Sequence, residues 1–368
     1  MIKFPLRISF LVALTSSFVL ASCGIDSASD DLDTSEGESP TGAETIDEED
    51  VEPDETEGSS ENNEDVITIE VGHVAPPNEA YSIGMEAFAE QLLEETDGSI
   101  ELSIYGGGQL GGERDMVEQI TFGTLDMGLI TSGPVGNFVP ELAVLEMPFL
   151  FESTDHVYET VDGEIGDELL GYMENANMVG LGIWENGFRH FSNDSHPIVH
   201  PDDLSGLTMR TIENDMHVDT YNALGASPTP IAWPETYSSI QQGIVDGLDT
   251  SYGVFESGNL FEVQDYYTET NLYYASAYLI MNQDRFDSLP EDLQDTLQTL
   301  GRSFASEQRA INQDMEVEQK QHMIDEGMEI VDHSEVDIEA FRESVQSVYD
   351  RHADSFGDYV ERITNLNR

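Results

Sequence analysis

The chain has 368 residues, with 75 Asp and Glu against 13 Lys and Arg, a formal charge of −62 and a single cysteine. That balance argues against nucleic acid or anionic lipid as partners, because both need basic patches that release counterions. It suits concentrated salt, where self-repulsion is screened over about 3 Å at 1 M, and one cysteine leaves no disulfide to form within the chain.

Residues 1–22 combine Lys3 and Arg7 with an apolar run from Ile8 to Leu20, the layout of an export signal and short for a membrane span. The run ends in Leu20-Ala21-Ser22-Cys23, which resembles a bacterial lipobox and implies cleavage before Cys23 and lipidation of its thiol. From 24 to 65 there are 18 carboxylates and no Lys or Arg. Such a segment cannot build a core, so 23–65 is expected to be a disordered, lipid-anchored acidic tether. Residues 66–368 still hold 57 acids against 11 bases. At roughly 300 residues, this part suffices for two lobes with separate cores.

The folded part opens with an expected strand over Val66–Gly72, broken by Pro76-Pro77-Asn78. Ile83, Ala87, Phe88, Leu92 and Leu93 then recur at helical spacing up to Asp97-Gly98, and Ile100–Tyr105 alternates as a second strand. Glycine-rich Gly106–Gly112 leads into a helix carrying Met116, Val117, Ile120 and Phe122, followed by a third strand over Leu125–Ile130. The glycine run lacks the Gly-Lys-Ser/Thr ending of a phosphate loop and reads as a tight strand-to-helix connection. Short strands are expected at Val179–Trp184 and Gly206–Arg210, helices at Glu213–Leu224 and Pro234–Gln242, and another strand at Val245–Thr250. Pro290 to about Ile324 reads as one long helix, able to lie across two lobes. The order predicts an α/β fold with mixed, mostly parallel sheets.

Between Val66 and Asp284 the only cations are Arg114, Arg189 and Arg210. A chain this poor in Lys and Arg keeps an Arg where something needs a fixed positive fork. Arg114 stands on an acidic helix beside Glu113 and Asp115, where a local ion pair accounts for it. Arg189 and Arg210 fall at or just beyond expected strand ends, where α/β sheets place their ligand crevice. Arg210, after Leu207 and Met209, is assigned to a ligand carboxylate; Arg189 is either a second contact or a partner of Glu185 or Asp194.

Around these arginines the sequence resembles the receptors of tripartite ATP-independent periplasmic (TRAP) transporters of the DctP type. The resemblance rests on Glu185-Asn186-Gly187-Phe188-Arg189 and Asp203-Leu204-Ser205-Gly206-Leu207-Thr208-Met209-Arg210. Gln109–Gly112, Gly123–Asp126, Pro148–Phe151, Leu224–Pro230, Glu235–Tyr237 and Gln242–Gly247 extend it across nearly all of the chain from Val66 onward. It implies a two-lobed periplasmic-binding-protein-like fold, with lobes of 66–187 plus about 276–314 and 188–275 plus about 315–368 and a long helix spanning both. It further implies that Arg210 clamps the carboxylate of a small organic acid, Arg189 assists, Trp233 covers the ligand, and Asn78 and Thr131 meet its far end. Relatives carry an asparagine where this chain has Thr250, whose hydroxyl replaces only part of an amide's pairing. Without an acid at Thr131, an amino-bearing ligand loses one partner. The implied partners are that ligand, the membrane subunits of an ion-driven transporter, and the membrane through the lipid, on the outer face or in the periplasm.

No cofactor or metal is expected. His190, His196 and His200 share no zinc-like spacing and read as surface histidines, and no Gly-x-Ser-x-Gly elbow is present. A receptor feeding a sensor or an ATP-driven importer is the alternative within binding proteins, and a secreted hydrolase the alternative among enzymes.

Overall fold

The computed structural model describes residues 66–352 and 355–366; the expected signal, Cys23 and tether lie outside them. The first elements are β1 (Ile67–Gly72), α1 (Ala80–Glu95), β2 (Ile100–Tyr105), α2 (Glu113–Phe122), β3 (Met127–Thr131), α3 (Ser132–Val135), α4 (Thr154–Val161) and α5 (Glu164–Gly171). β4 (Met178–Asn193), β5 (Thr208–Thr211), α6 (Asp215–Ala223), β6 (Ser227–Pro230), α7 (Trp233–Gln241), β7 (Gly247–Thr250) and α8 (Tyr252–Ser257) come next. The chain ends with β8 (Tyr266–Asn282), α9 (Gln283–Asp287), α10 (Glu291–Ser303), α11 (Ala305–Asp325), β9 (Glu329–Val331), α12 (Ile338–Ser344), α13 (Gln346–His352) and α14 (Tyr359–Leu366).

One mixed sheet runs β2-β1-β3-β8-β4-β7-β5-β6, with β9 beside β8. Its two ends are parallel, β1 with β2 and β3 at one and β5 with β6 and β7 at the other. Between them β4 and β8 pair antiparallel along almost their whole length. Parallel ends need helical crossovers, which α1, α2, α6 and α7 supply. The architecture is the mixed, two-lobed α/β fold that the sequence predicts.

The middle of the sheet differs from expectation. The short strand at 179–184 is the first part of 16-residue β4, and β8, at 17 residues, carries no expectation at all. The stretch after Trp184 reads as a polar loop, yet the strand runs on through it: Gly187 takes φ 105°, and the β4–β8 register shifts between Glu185 and Gly187 and again between Arg189 and Phe191. A bulge accepts one unpaired residue and bends the strand without ending it. Arg189 therefore sits inside a strand rather than beyond one.

The expected helix from Pro290 is two, α10 and α11, separated at Phe304. Phe304 turns inward into an aromatic trio, 5.6 Å from Phe88 and 5.3 Å from Trp184 between ring centroids, with Phe88 and Trp184 5.5 Å apart. α11 runs along β4, meeting α1 and α8. Its Ala305 joins the core of the β1–β3 end, and its Met323 the core around Leu248, Phe255 and Tyr267. Some apolar residues face outward: Ile83, Leu93 and Phe122 are exposed, because α1 buries Tyr81, Met85, Phe88 and Leu92, and α2 buries Met116, Val117 and Ile120.

The bulge in β4 is repaired by polar side chains of α11. Gln308 accepts from the Glu185 amide at 2.7 Å and donates to the Glu185 carbonyl at 2.8 Å. Arg309 donates to the Ile183 carbonyl at 2.8 Å, and Asn312 to the Glu185 carboxylate at 2.8 Å. Gln308→Ala would leave both Glu185 backbone groups buried without partners. It is expected to lower unfolding stability by roughly 2–4 kcal/mol, read from the urea midpoint at unchanged slope.

Candidate functional site

A cleft holding about 440 Å³ of empty space opens where the two parallel ends of the sheet face each other. One wall comes from the β1–β3 end: Val74, Ala75 and Pro76 after β1, Glu79 and Tyr81 at the start of α1, Glu113 at the first residue of α2, and Thr131 closing β3. The other comes from β4, β5, β7, α7 and α8 and carries Arg189, Arg210, Ile212, Trp233, Thr250, Val254 and Ser257. Strand ends and helix starts dominate both walls, the usual place for a crevice in an α/β sheet.

Of the six residues singled out in the sequence, Arg210, Arg189, Trp233, Thr250 and Thr131 line this cleft. Asn78 does not: it is exposed in the turn before α1, and the next residue, Glu79, takes the lining position. The turn itself falls at Pro77-Asn78, where the sequence places it, and the Glu79 amide donates to the Pro76 carbonyl at 3.1 Å.

Arg210 is 3 % exposed, and its Nε donates to the Ile231 carbonyl at 2.9 Å. Among the described residues no carboxylate lies within ion-pair distance of it and its two terminal nitrogens make no hydrogen bond, while the residue lines the cleft. Burial, followed by the field of Arg189, lowers its pKa to about 10, which leaves it charged at neutral pH. The Trp233 ring lies 5.7 Å from its guanidinium. Trp233 is half-buried and rests on Gly258, where a Cβ would come within 3.1 Å of the indole. The fully buried core tryptophan is Trp184 instead.

Arg189 is also buried, but it is paired. Its Nε donates to Asp249 Oδ2 at 2.5 Å, and its Nη2 donates to the Asp249 carbonyl. The sequence offered Glu185 and Asp194 as partners; both lose to Asp249, which β7 places opposite Phe191 of β4. Tyr221 donates to the other Asp249 oxygen at 2.5 Å. Burial pushes the Asp249 carboxyl up, but Arg189, His217 and the Tyr221 bond together outweigh it and hold the group below the usual carboxylate range. Beside it, Thr250 Oγ1 is buried without a hydrogen-bond partner.

On the opposite wall, Thr131 gives its amide and hydroxyl to Glu113 at 2.8 and 2.6 Å. An acid therefore does reach this corner, supplied by α2 rather than by position 131. Burial pushes Glu113 up while the Thr131 bonds pull it down, and burial raises Glu79 to about 8. Asn186 donates to Tyr81 Oη at 3.2 Å and accepts from Ser251 at 2.9 Å. Glu79, Tyr81, Glu113, Asn186 and Asp249 were missed in the sequence. Acids at the first turn after a strand end are the one signal that could have marked Glu79 and Glu113.

Arg114 is half-exposed and pairs with Glu118 at 3.6 Å, the local role expected of it. His190 is not at the surface: it is buried between the Tyr252 and Tyr267 rings, and burial lowers its pKa to about 3. The glycine run is a tight connection, with Gly107 and Gly108 donating to the Ala75 and His73 carbonyls. Among the described residues no group of three or more His, Cys, Asp or Glu could hold a metal ion, and no helix is long and apolar enough to cross a membrane.

A mixed sheet with a cleft between its two ends, and a buried unpaired arginine in that cleft, defines a receptor for a small anion. Residues 71–355 match the DctP family, described as bacterial extracellular solute-binding protein, family 7. A solute-binding protein of Chromohalobacter salexigens is 31 % identical over 295 residues, covering 80 % of this chain and 87 % of that protein. A TRAP periplasmic solute-binding protein from a Polaromonas species, solved bound to D-erythronate, superposes with a TM-score of 0.78 at 34 % identity, covering 81 % of this chain and 98 % of that one. Another from a Sulfitobacter species, with bound β-D-galacturonate, gives 0.77 at 32 % identity over 82 % and 99 %. The chain belongs to the DctP family, an extracytoplasmic family of solute receptors rather than enzymes.

The raised Glu79 makes a pH prediction. An acid whose folded pKa lies above its ordinary 4.5 is protonated more in the folded state, so stability falls as pH rises from about 4.5 to about 8. His73 and His190, lowered to about 4 and about 3, act in the other direction but are neutral in both states above their ordinary 6.5. Between pH 6.5 and 8, Glu79→Gln is therefore expected to remove a slope of up to about 1.4 kcal/mol per pH unit from ligand-free stability. Denaturation curves at a series of pH values measure it.

Proposed function

We propose that this chain captures a sugar acid, a small carboxylate carrying hydroxyls, and delivers it to the membrane subunits of an ion-gradient-driven TRAP transporter. The observation that carries the reading is Arg210: a buried cation without a carboxylate partner is costly unless a ligand anion supplies one. Its free terminal nitrogens match a carboxylate's two oxygens. Arg189, steadied by Asp249, offers its remaining nitrogen to the same anion; the Thr250 hydroxyl adds a shorter contact, and Trp233 shields the pair from water. Thr131 acts through Glu113. The erythronate- and galacturonate-bound relatives support the ligand class.

The lobes of this reading are 66–187 with about 276–314 and 188–275 with about 315–368, hinged where β4 and β8 cross between the two ends of the sheet. Cys23 carries the lipid and 23–65 spaces the receptor from its membrane, on the outer face of the cell membrane or in the periplasm.

A thermal-shift screen in concentrated salt, covering aldonates, uronates, dicarboxylates and zwitterions, is expected to show stabilisation by a sugar acid. No stabilisation by any acid would sink the reading. Arg210→Ala is expected to keep the fold and lose binding by about 3–5 kcal/mol, more than a hundredfold in affinity, measured by calorimetry. Retained affinity would remove Arg210 from the site.

A further inference from the structure

The cleft is electrically two-sided. Arg189 and Arg210 stand on the β4–β5 wall, and Glu79 and Glu113, 3 % and 9 % exposed, on the wall formed by α1 and α2. Among the described residues neither glutamate forms an ion pair with either arginine. Arg189 already has Asp249, and Glu113 has only Thr131. Basic and acidic groups buried in one cleft and held apart leave space for a ligand whose two ends differ. One end is an anion; the other must donate hydrogen bonds.

We propose that Glu79 and Glu113 form the far pole of the ligand site, accepting hydrogen bonds from ligand hydroxyls and turning away acids that carry a second carboxylate. This rests on the sugar-acid reading and narrows it to monocarboxylates. A hydroxymethyl group and a carboxylate are similar in size, so size discriminates weakly, whereas an anion placed against buried, ionised acids is repelled. Burial already raises both glutamates and Glu113 raises Glu79 further, so the wall has no tolerance for another negative charge. No Lys or Arg between Val66 and Asp284, other than the two in the cleft and exposed Arg114, is available to neutralise one.

Two ligand pairs test this, each differing only at the far end: D-erythronate against meso-tartrate, and D-galactonate against galactarate. Calorimetry at about pH 9, above the raised value of Glu79 so that its carboxylate is charged, is expected on the wild-type protein to favour the monocarboxylate of at least one pair by about a hundredfold or more. Glu79→Gln is expected to narrow that preference at least about tenfold, mainly by strengthening the dicarboxylate, and Glu113→Gln to act the same way if Glu79→Gln does not fold. A purely structural role for the glutamates would weaken both members of a pair alike and leave the ratio unchanged, which overturns the proposal. Equal wild-type affinity for mono- and dicarboxylate overturns it too, while leaving the acid-receptor reading intact. If no acid of either pair or of the wider screen binds, both readings fall together.

Discussion

The antiparallel pairing of β4 with β8 is the constraint on which the rest of the structure depends. These two strands belong to both ends of the sheet, so the distance and angle between the walls of the cleft are set by how they bend. The bends are concentrated at the register shifts, with Gly187 at one of them and Asn271 at the next, both at positive φ, 105° and 51°. A bulge leaves backbone groups unpaired, and α11 satisfies them through Gln308 and Arg309, while its Asn312 holds the Glu185 carboxylate. The same stretch carries Asn186 and Arg189 into the cleft. Strand geometry, helix docking and site assembly are thus one local solution rather than three.

The electrostatics follow a division between surface and cleft. At the surface, acids are numerous and ion pairs are mostly exposed, of the kind worth little each. In the cleft a few charges are dry, where pairing decides stability. Asp249 cancels one of two neighbouring arginines and takes a Tyr221 hydroxyl as well, which makes two buried guanidinium groups tolerable side by side. Arg210 is left as the unsatisfied one.

Elements built from local pattern were legible in the sequence. β1, α1, β2, α2 and β3 succeed one another with strand alternation, helical spacing and glycine stops, and the structure places all five within a few residues of expectation. β4 and β8 were not legible as long strands, because their continuity depends on partners far away in sequence and on a bulge in a stretch that reads as a polar loop. Arg189 and Arg210 stood out through scarcity alone. Their counterparts had no such contrast: Glu79, Glu113 and Asp249 are three acids among 75, and only tertiary burial separates them from the rest. Asn78 failed by a single residue, a margin set by the turn and not by composition. His190 looked like a polar-loop residue and is buried because the strand continues through it.

The net charge of −62 has a kinetic consequence for a receptor whose ligand is itself an anion. At low ionic strength the protein's long-range field repels the molecule it must catch, and capture is slow. Added salt collapses that field to about 10 Å at 0.1 M and less above it, so encounter accelerates. Arg210, out of water beneath Trp233, is hardly screened, so the escape rate of the captured acid stays nearly constant. Affinity in such a receptor rises with salt through the rate of arrival, the reverse of the usual behaviour of an ion-binding protein.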